Sequence, residues 1–196
     1  MIKLEHVSTP YPDFSIVFPN VVFPKNKVTF VTGRNGVGKT SLLKAIAKLI
    51  PYEGVIEYIG FATYHFQEPI LFNRSVFDNI IYPLKIRKLA VSDYQDNLYA
   101  YAKILGIDQL LQRSAKELSS GEKMKVSMLR SILFSPTILL LDEPTTHLDL
   151  ESIEQLTELI RVLKKDMTLI IVSHNKAFIN SLQDFNYHLG GSHVYR

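Results

Sequence analysis

The sequence contains no cysteine, which excludes disulfides, thiolate metal sites and cysteine nucleophiles while leaving the compartment open. Long apolar runs are missing too. The longest is five residues, Leu98 to Ala102, whereas a membrane-spanning helix needs about 20. No charge block is long, and the 9 Gly and 9 Pro are dispersed, so low-complexity disorder is excluded. The N-terminus, Met1-Ile2-Lys3-Leu4-Glu5-His6, lacks the basic-then-apolar order of a signal peptide. Excess charge is also scarce: 22 Lys+Arg against 19 Asp+Glu leave +3, too little to indicate a nucleic-acid partner. What remains is 196 residues, 46% of them hydrophobic, enough for one domain with a buried core. A soluble, intracellular globular protein is the expectation.

No internal repeat is present. Residues 1–31 read as short strands punctuated by Pro10, Pro12, Pro19 and Pro24, the last strand being Val28 to Val31. From Lys39 the pattern is helical, with Leu42, Leu43, Ile46, Leu49 and Ile50 on one stripe until Pro51 stops it. Strand-like alternation returns over 54–66. Residues 70–118 differ, with aromatics, helical patches and no strong strand, and Tyr94 to Leu105 reads as a helix closed by Gly106. A further helix is expected from about Gly121 to Phe134. The runs Ile138–Leu141 and Leu169–Val172 do not alternate, as expected of parallel strands buried on both faces. Between them lies a helix with Leu150, Ile153, Leu156, Ile160 and Leu163 on its apolar stripe, capped by Asp149. This order means an α/β core.

Gly33-Arg34-Asn35-Gly36-Val37-Gly38-Lys39-Thr40 fits the P-loop pattern G-x-x-x-x-G-K-[ST], and it lies between a strand and a helix as that motif requires. Its glycines let backbone N–H groups cradle phosphate oxygens, and the following helix N-terminus adds its own donors. Lys39 offers a point charge to the β- and γ-phosphates, and the Thr40 hydroxyl is a ligand for Mg²⁺. A dinucleotide G-x-G-x-x-G fails because Ser41 stands where its last glycine belongs. At the end of the run Ile138–Leu141, Asp142 is placed to hold a metal, and Glu143 to orient or deprotonate water. Alone, an acidic pair after a strand is commonly a helix cap; the P-loop upstream favours chemistry. His174 and Gln67 are weak signals by themselves, and Leu118-Ser119-Ser120-Gly121-Glu122 reads equally well as a serine-rich N-cap.

Together, in order and spacing, these pieces resemble the ATPase subunits of ATP-binding cassette (ABC) transporters over essentially the whole chain. Tyr11 resembles the family's adenine-stacking aromatic, and Gln67 its Q-loop glutamine. Leu118-Ser119-Ser120-Gly121-Glu122 resembles the signature motif LSGGQ. Asp142-Glu143-Pro144-Thr145 and His147-Leu148-Asp149 resemble Walker B running into the D-loop, and His174 the switch histidine. The GTPase pattern N-K-x-D is absent, since Asn26-Lys27-Val28-Thr29 and Asn175-Lys176-Ala177-Phe178 lack the Asp, which favours ATP. The signature departs from the family at Ser120 and Glu122 while keeping Ser119 and Gly121. A working signature is expected, with Ser120→Gly as the variant that reports any slowing.

The resemblance implies a P-loop NTPase (RecA/F1-like) α/β core with an antiparallel β subdomain, over 1–69 and 136–196, and an inserted helical subdomain at about 70–135. It implies ATP and Mg²⁺ as cofactors. Gly33 to Ser41 would grip phosphates, and Thr40, Gln67 and Asp142 would surround the metal. Glu143 would be the base and His174 the support of γ-phosphate and water. Ser119 and Gly121 would act in trans, in a homodimer or a heterodimer with a related cassette. An integral membrane permease and a position on the cytoplasmic face of the membrane are implied as well. In similar proteins the helical subdomain forms a groove for cytoplasmic helices of the membrane subunit. Ile70, Leu71, Phe72, Val76, Phe77, Ile80, Ile81 and Tyr82 either line such a groove or form the subdomain's small core. The rivals are a soluble ABC ATPase on a non-membrane partner such as a protein-assembly scaffold, and a nucleotide-binding module without turnover. Only 22 residues follow His174, read as a helix and a strand pair, 185–189 with 193–195, so a near-minimal cassette is expected.

Overall fold

A computed structural model describes residues 1–190 and the backbone of Val194 and Tyr195. Two sheets organise the chain. The antiparallel one is built on β1 (Ile2–Pro10), which pairs with β2 (Ser15–Val17), β3 (Val21–Phe23) and β5 (Glu53–Glu57). Ile2 and Leu4 face the core, but farther along Val7 and Thr9 do. The change of phase occurs at a register shift between Glu5 and Ser8, where His6 adopts φ 51°, so a bulge turns the strand's second half over.

The second sheet is wholly parallel, in the order β6 (Ala62–His65), β7 (Ile138–Asp142), β8 (Thr168–Val172), β4 (Val28–Thr32), β9 (Phe185–His188). The uninterrupted apolar runs are buried on both faces, as parallel strands require. Leu139, Leu141, Leu169 and Ile171 join the apolar faces of the helices α2 (Val76–Ile86), α3 (Gln95–Ile104), α4 (Ser120–Ile132), α5 (Leu150–Leu163) and α6 (Lys176–Leu182). Ile138, Leu140, Ile170 and Val172 face the other way, sharing a core with α1 (Lys39–Ile46) and the antiparallel sheet. The helices between β6 and β7 are thus continuous with the core on one side of the sheet.

Several expectations need correction. The first helix ends at Ile46 rather than at Pro51: Lys48 turns left-handed at φ 58°, and Leu49 N–H bonds back to the Lys44 carbonyl, closing the helix early. The alternation over 54–66 is two strands in different sheets, β5 and β6, separated by Gly60 at φ 90°. The expected final strand pair does not form. Phe185–His188 instead joins the parallel sheet beside β4, whose free edge it completes, and Val194–Tyr195 pairs with β2. His193 lies outside the described residues. The helix α2 carries Pro83 within it and was not anticipated as an element.

Candidate active site

Parallel strands present their C-terminal ends at one edge, where four loops converge. From β6 comes Gln67, from β7 Asp142 and Glu143, from β8 His174, and from β4 the P-loop. They enclose a cleft of about 540 Å³ lined by Asn35, Gly36, Gly38, Lys39, Thr40, Ser41, Gln67, Asp142, Glu143 and His174, with Tyr11, Phe14, Ile16 and Val172 as its apolar wall. Gly33, Arg34 and Val37 contribute to the loop without lining this cleft.

The loop's geometry explains its glycines. Gly36 has φ 77° and Gly38 φ 101°, left-handed conformations in which a side chain would be strained, and Gly38 opens α1 directly. Lys39 is buried, and its ammonium donates to the carbonyl oxygens of Gly33 (2.9 Å) and Arg34 (3.0 Å). The charge is therefore held by the loop's own backbone, within the loop that would receive phosphate. The Tyr11 hydroxyl shares a 2.7 Å hydrogen bond with that of Ser41, and the Tyr11 ring stacks on Phe14 with centroids 4.9 Å apart. A half-exposed aromatic pair thus stands at the cleft's mouth, suited to stacking on a base.

Glu143 follows β7 at φ 49°, its N–H donating to the Val172 carbonyl (2.9 Å) as if extending the ladder. This turns the carboxylate toward β8, where it accepts the backbone N–H of His174 (3.2 Å) and lies 3.4 Å from His174 Nε2. Asp142 is 4% exposed and accepts a 2.7 Å hydrogen bond from the Tyr64 phenol. Burial, and next the carboxylate it donates to, hold the Tyr64 hydroxyl well above the ordinary tyrosine pKa.

Tyr64 was not among the sequence-derived site residues. The signal that finds it is strand register: Tyr64 lies opposite Leu140 on β7, so it shares a sheet face with Asp142 two residues farther on. No group of three or more His, Cys, Asp or Glu able to hold a metal occurs among the described residues. The Thr40 hydroxyl, Gln67 amide and Asp142 carboxylate are all oxygen donors lining the same cleft. Such a sparse oxygen set suits Mg²⁺, which keeps waters and shares its remaining positions with phosphates.

Ser119 and Gly121 do not line the cleft. They open α4, where the Ser119 hydroxyl accepts from Glu122 N–H (3.2 Å) while the Glu122 carboxylate accepts from Ser119 N–H (2.7 Å). This reciprocal capping box gives Glu122 a structural reason. Ser120 occupies the first helical position, where no glycine is required.

A second cavity, of about 530 Å³, lies beyond β6 between the helices and the sheet edge. Phe66, Ile70, Phe72, Tyr82, Ile86 and Phe134 line it, whereas Val76, Ile80 and Ile81 are buried in the core. The apolar stretch after Gln67 is therefore split between the wall of this cavity and the buried core. No helix among the described residues is long and apolar enough to cross a membrane.

Comparison with known proteins decides the family. The family model for ABC transporters matches residues 19–146. The chain belongs to the ABC transporter family. It is 36% identical over 167 residues to the tungstate uptake system ATP-binding protein TupC of Peptoclostridium acidaminophilum, covering 80% of this chain and 78% of that protein. It is 32% identical to a molybdate/tungstate import ATP-binding protein, WtpC, of Pyrococcus abyssi, over 94% of this chain and 58% of that one. Among solved structures, an ATP-binding subunit of an ABC transporter superposes with a TM-score of 0.87 at 21% identity, over 97% of this chain and 87% of that one, which speaks for the fold. The chain is an ATP-binding subunit of this family, and ATP hydrolysis coupled to transport is the general kind of reaction.

Proposed function

We propose that this subunit hydrolyses ATP between two cassettes bound head to tail, and that a membrane-spanning partner seated in the apolar groove receives the resulting motion. The observation that carries this reading is convergence: Lys39, Thr40, Gln67, Asp142, Glu143 and His174, from four loops, line one cleft. Tyr11 stacks the adenine, and the P-loop N–H groups and Lys39 take the phosphates, the ammonium exchanging its carbonyl partners for phosphate oxygens. Mg²⁺, held through Thr40, Gln67 and Asp142, would neutralise charge between the β- and γ-phosphates. Glu143 accepts the proton of the attacking water, and His174, already paired with it, steadies the water and γ-phosphate.

Ser119 and Gly121, which open α4 and do not line this chain's own cleft, are supplied to the γ-phosphate held by a partner cassette. The dimer is a homodimer or a heterodimer with a related cassette. The stretch of about 70–135 acts as the helical subdomain, and the subunit sits on the cytoplasmic face of the membrane.

Replacing Glu143 by Gln tests the base assignment. The expected outcome is loss of ATP turnover by about a hundredfold or more, with an ATP-dependent dimer accumulating on size-exclusion chromatography. Near-native turnover in that variant would remove Glu143 from the role.

A further inference from the structure

One side chain joins the wall of the apolar groove to a residue that lines the cleft. The Tyr64 ring is part of the groove wall, together with Ala62, Thr63 and Phe66. Its hydroxyl, at the other end, donates to Asp142 Oδ2 at 2.7 Å. The ring is held by an edge-on contact with Phe66, centroids 4.7 Å apart at 77°.

Asp142 is nearly inaccessible, and among the described residues Tyr64 is the one side chain hydrogen-bonded to its carboxylate. A carboxylate's last torsion is broad, so nothing intrinsic fixes which way its two oxygens point. A charge-assisted hydrogen bond to one oxygen supplies that direction, leaving the other free to face the cleft.

We infer that Tyr64 is a positioning residue for the Asp142 carboxylate, orienting it toward the metal position from the wall of the apolar groove. This rests on the proposal that Asp142 serves Mg²⁺. Tyr64 touches neither nucleotide nor metal; it acts through Asp142. Its place on the groove wall links whatever presses there to the Asp142 carboxylate through a single hydrogen bond.

The test uses the whole chain carrying Tyr64→Phe, which keeps the ring and its contacts and removes only the hydroxyl. A fluorescent ATP analogue is titrated in EDTA and then against increasing Mg²⁺, alongside thermal melting. The expected result is an unchanged metal-free affinity, a near-native melting temperature, and a half-saturating Mg²⁺ concentration raised by about tenfold, the scale of one lost charge-assisted hydrogen bond.

If the Mg²⁺ dependence stays within about twofold of native while Asp142→Asn abolishes it, the inference is overturned and the metal assignment stands. If Asp142→Asn leaves the Mg²⁺ dependence intact, the metal assignment itself fails. Equal losses of metal-free and metal-dependent binding in Tyr64→Phe would make the hydroxyl merely structural, which also overturns the inference.

Discussion

His65 sits one residue after Tyr64 and faces the opposite side of the sheet. It is 1% exposed, and neither ring nitrogen has a hydrogen-bond partner among the described residues. Burial, and secondarily the nearby Arg130 charge, lower its pKa to about 4; the Met124 backbone opposes this weakly without completing a hydrogen bond. The ring is therefore neutral in the folded chain, and the sign of the linkage follows. With a folded pKa of about 4 below the ordinary 6.5, the unfolded chain binds the proton more readily between those values. Stability is fully present above about pH 6.5 and is lost as pH falls toward 4. Between pH 7.5 and 5 the contribution is about 2 kcal/mol, or roughly 4–8 °C in melting temperature for a chain of this size. His65→Leu removes a titrating group while keeping an apolar plug. Melting curves at the two pH values should show the variant losing that part of the native chain's acid sensitivity. Equal acid sensitivity in both would mean that His65 takes up its proton as readily in the folded chain as in the unfolded one.

At the scale of elements, the start of α4 carries a second prediction. Glu122 closes the capping box with Ser119, and its carboxyl is held below its usual pKa chiefly by the Ser119 N–H it accepts. Glu122→Ala should cost about 1 kcal/mol in denaturant unfolding, whereas Glu122→Gln, which can still accept that N–H, should lose much less. Equal losses would show that charge at the helix terminus, and not the hydrogen bond, is what Glu122 supplies. This cap was legible in the sequence because it is local: a serine, two residues and a glutamate. The same holds for Asp149 on α5, for Gly106 closing α3, and for the P-loop between strand and helix. What was not legible depended on pairing across the chain. Phe185–His188 looks like half of a hairpin until β4 is seen to offer a free edge. The bulge at His6 is set by β5, about 50 residues away, and α2 hides its period behind Pro83 and its mixture of core and groove residues. Tyr64 and His65 belong to this class too. Their neighbours Phe66 and Gln67 mark a motif, but only the register of β6 against β7 says which of the two meets Asp142.

Over the whole molecule, the segment from Phe66 to Ile70 runs from the cleft's edge to the groove, so one short loop borders both. Its far end is fastened by Arg130, whose guanidinium donates to the Ile70 carbonyl at 2.8 Å. The Ile70 side chain is nevertheless 81% exposed, and Leu49, Phe66, Phe72 and Ile86 around the same cavity are also exposed. A contiguous apolar surface of this kind marks an interaction site more often than isolated exposed residues do. Arg87 lies 4.0 Å from the Phe134 ring centroid, and Arg74 and Arg130 lie about 6 Å from that of Phe72, so the aromatic walls are backed by cations. If a membrane-spanning partner seats here, Ile70→Asp should abolish recovery of the subunit with host membranes. Basal ATPase should stay within about twofold, and stability within about 0.5 kcal/mol, because an exposed side chain supports little of the fold. Ile59→Asp is the matched control: Ile59 is 91% exposed but borders a different cavity, with Met1, Lys3 and Lys25, so it makes an equal change in surface hydrophobicity away from the groove. Loss of membrane recovery in both variants would indicate non-specific adhesion. Loss in neither would remove the groove from the docking role and favour a partner outside the membrane.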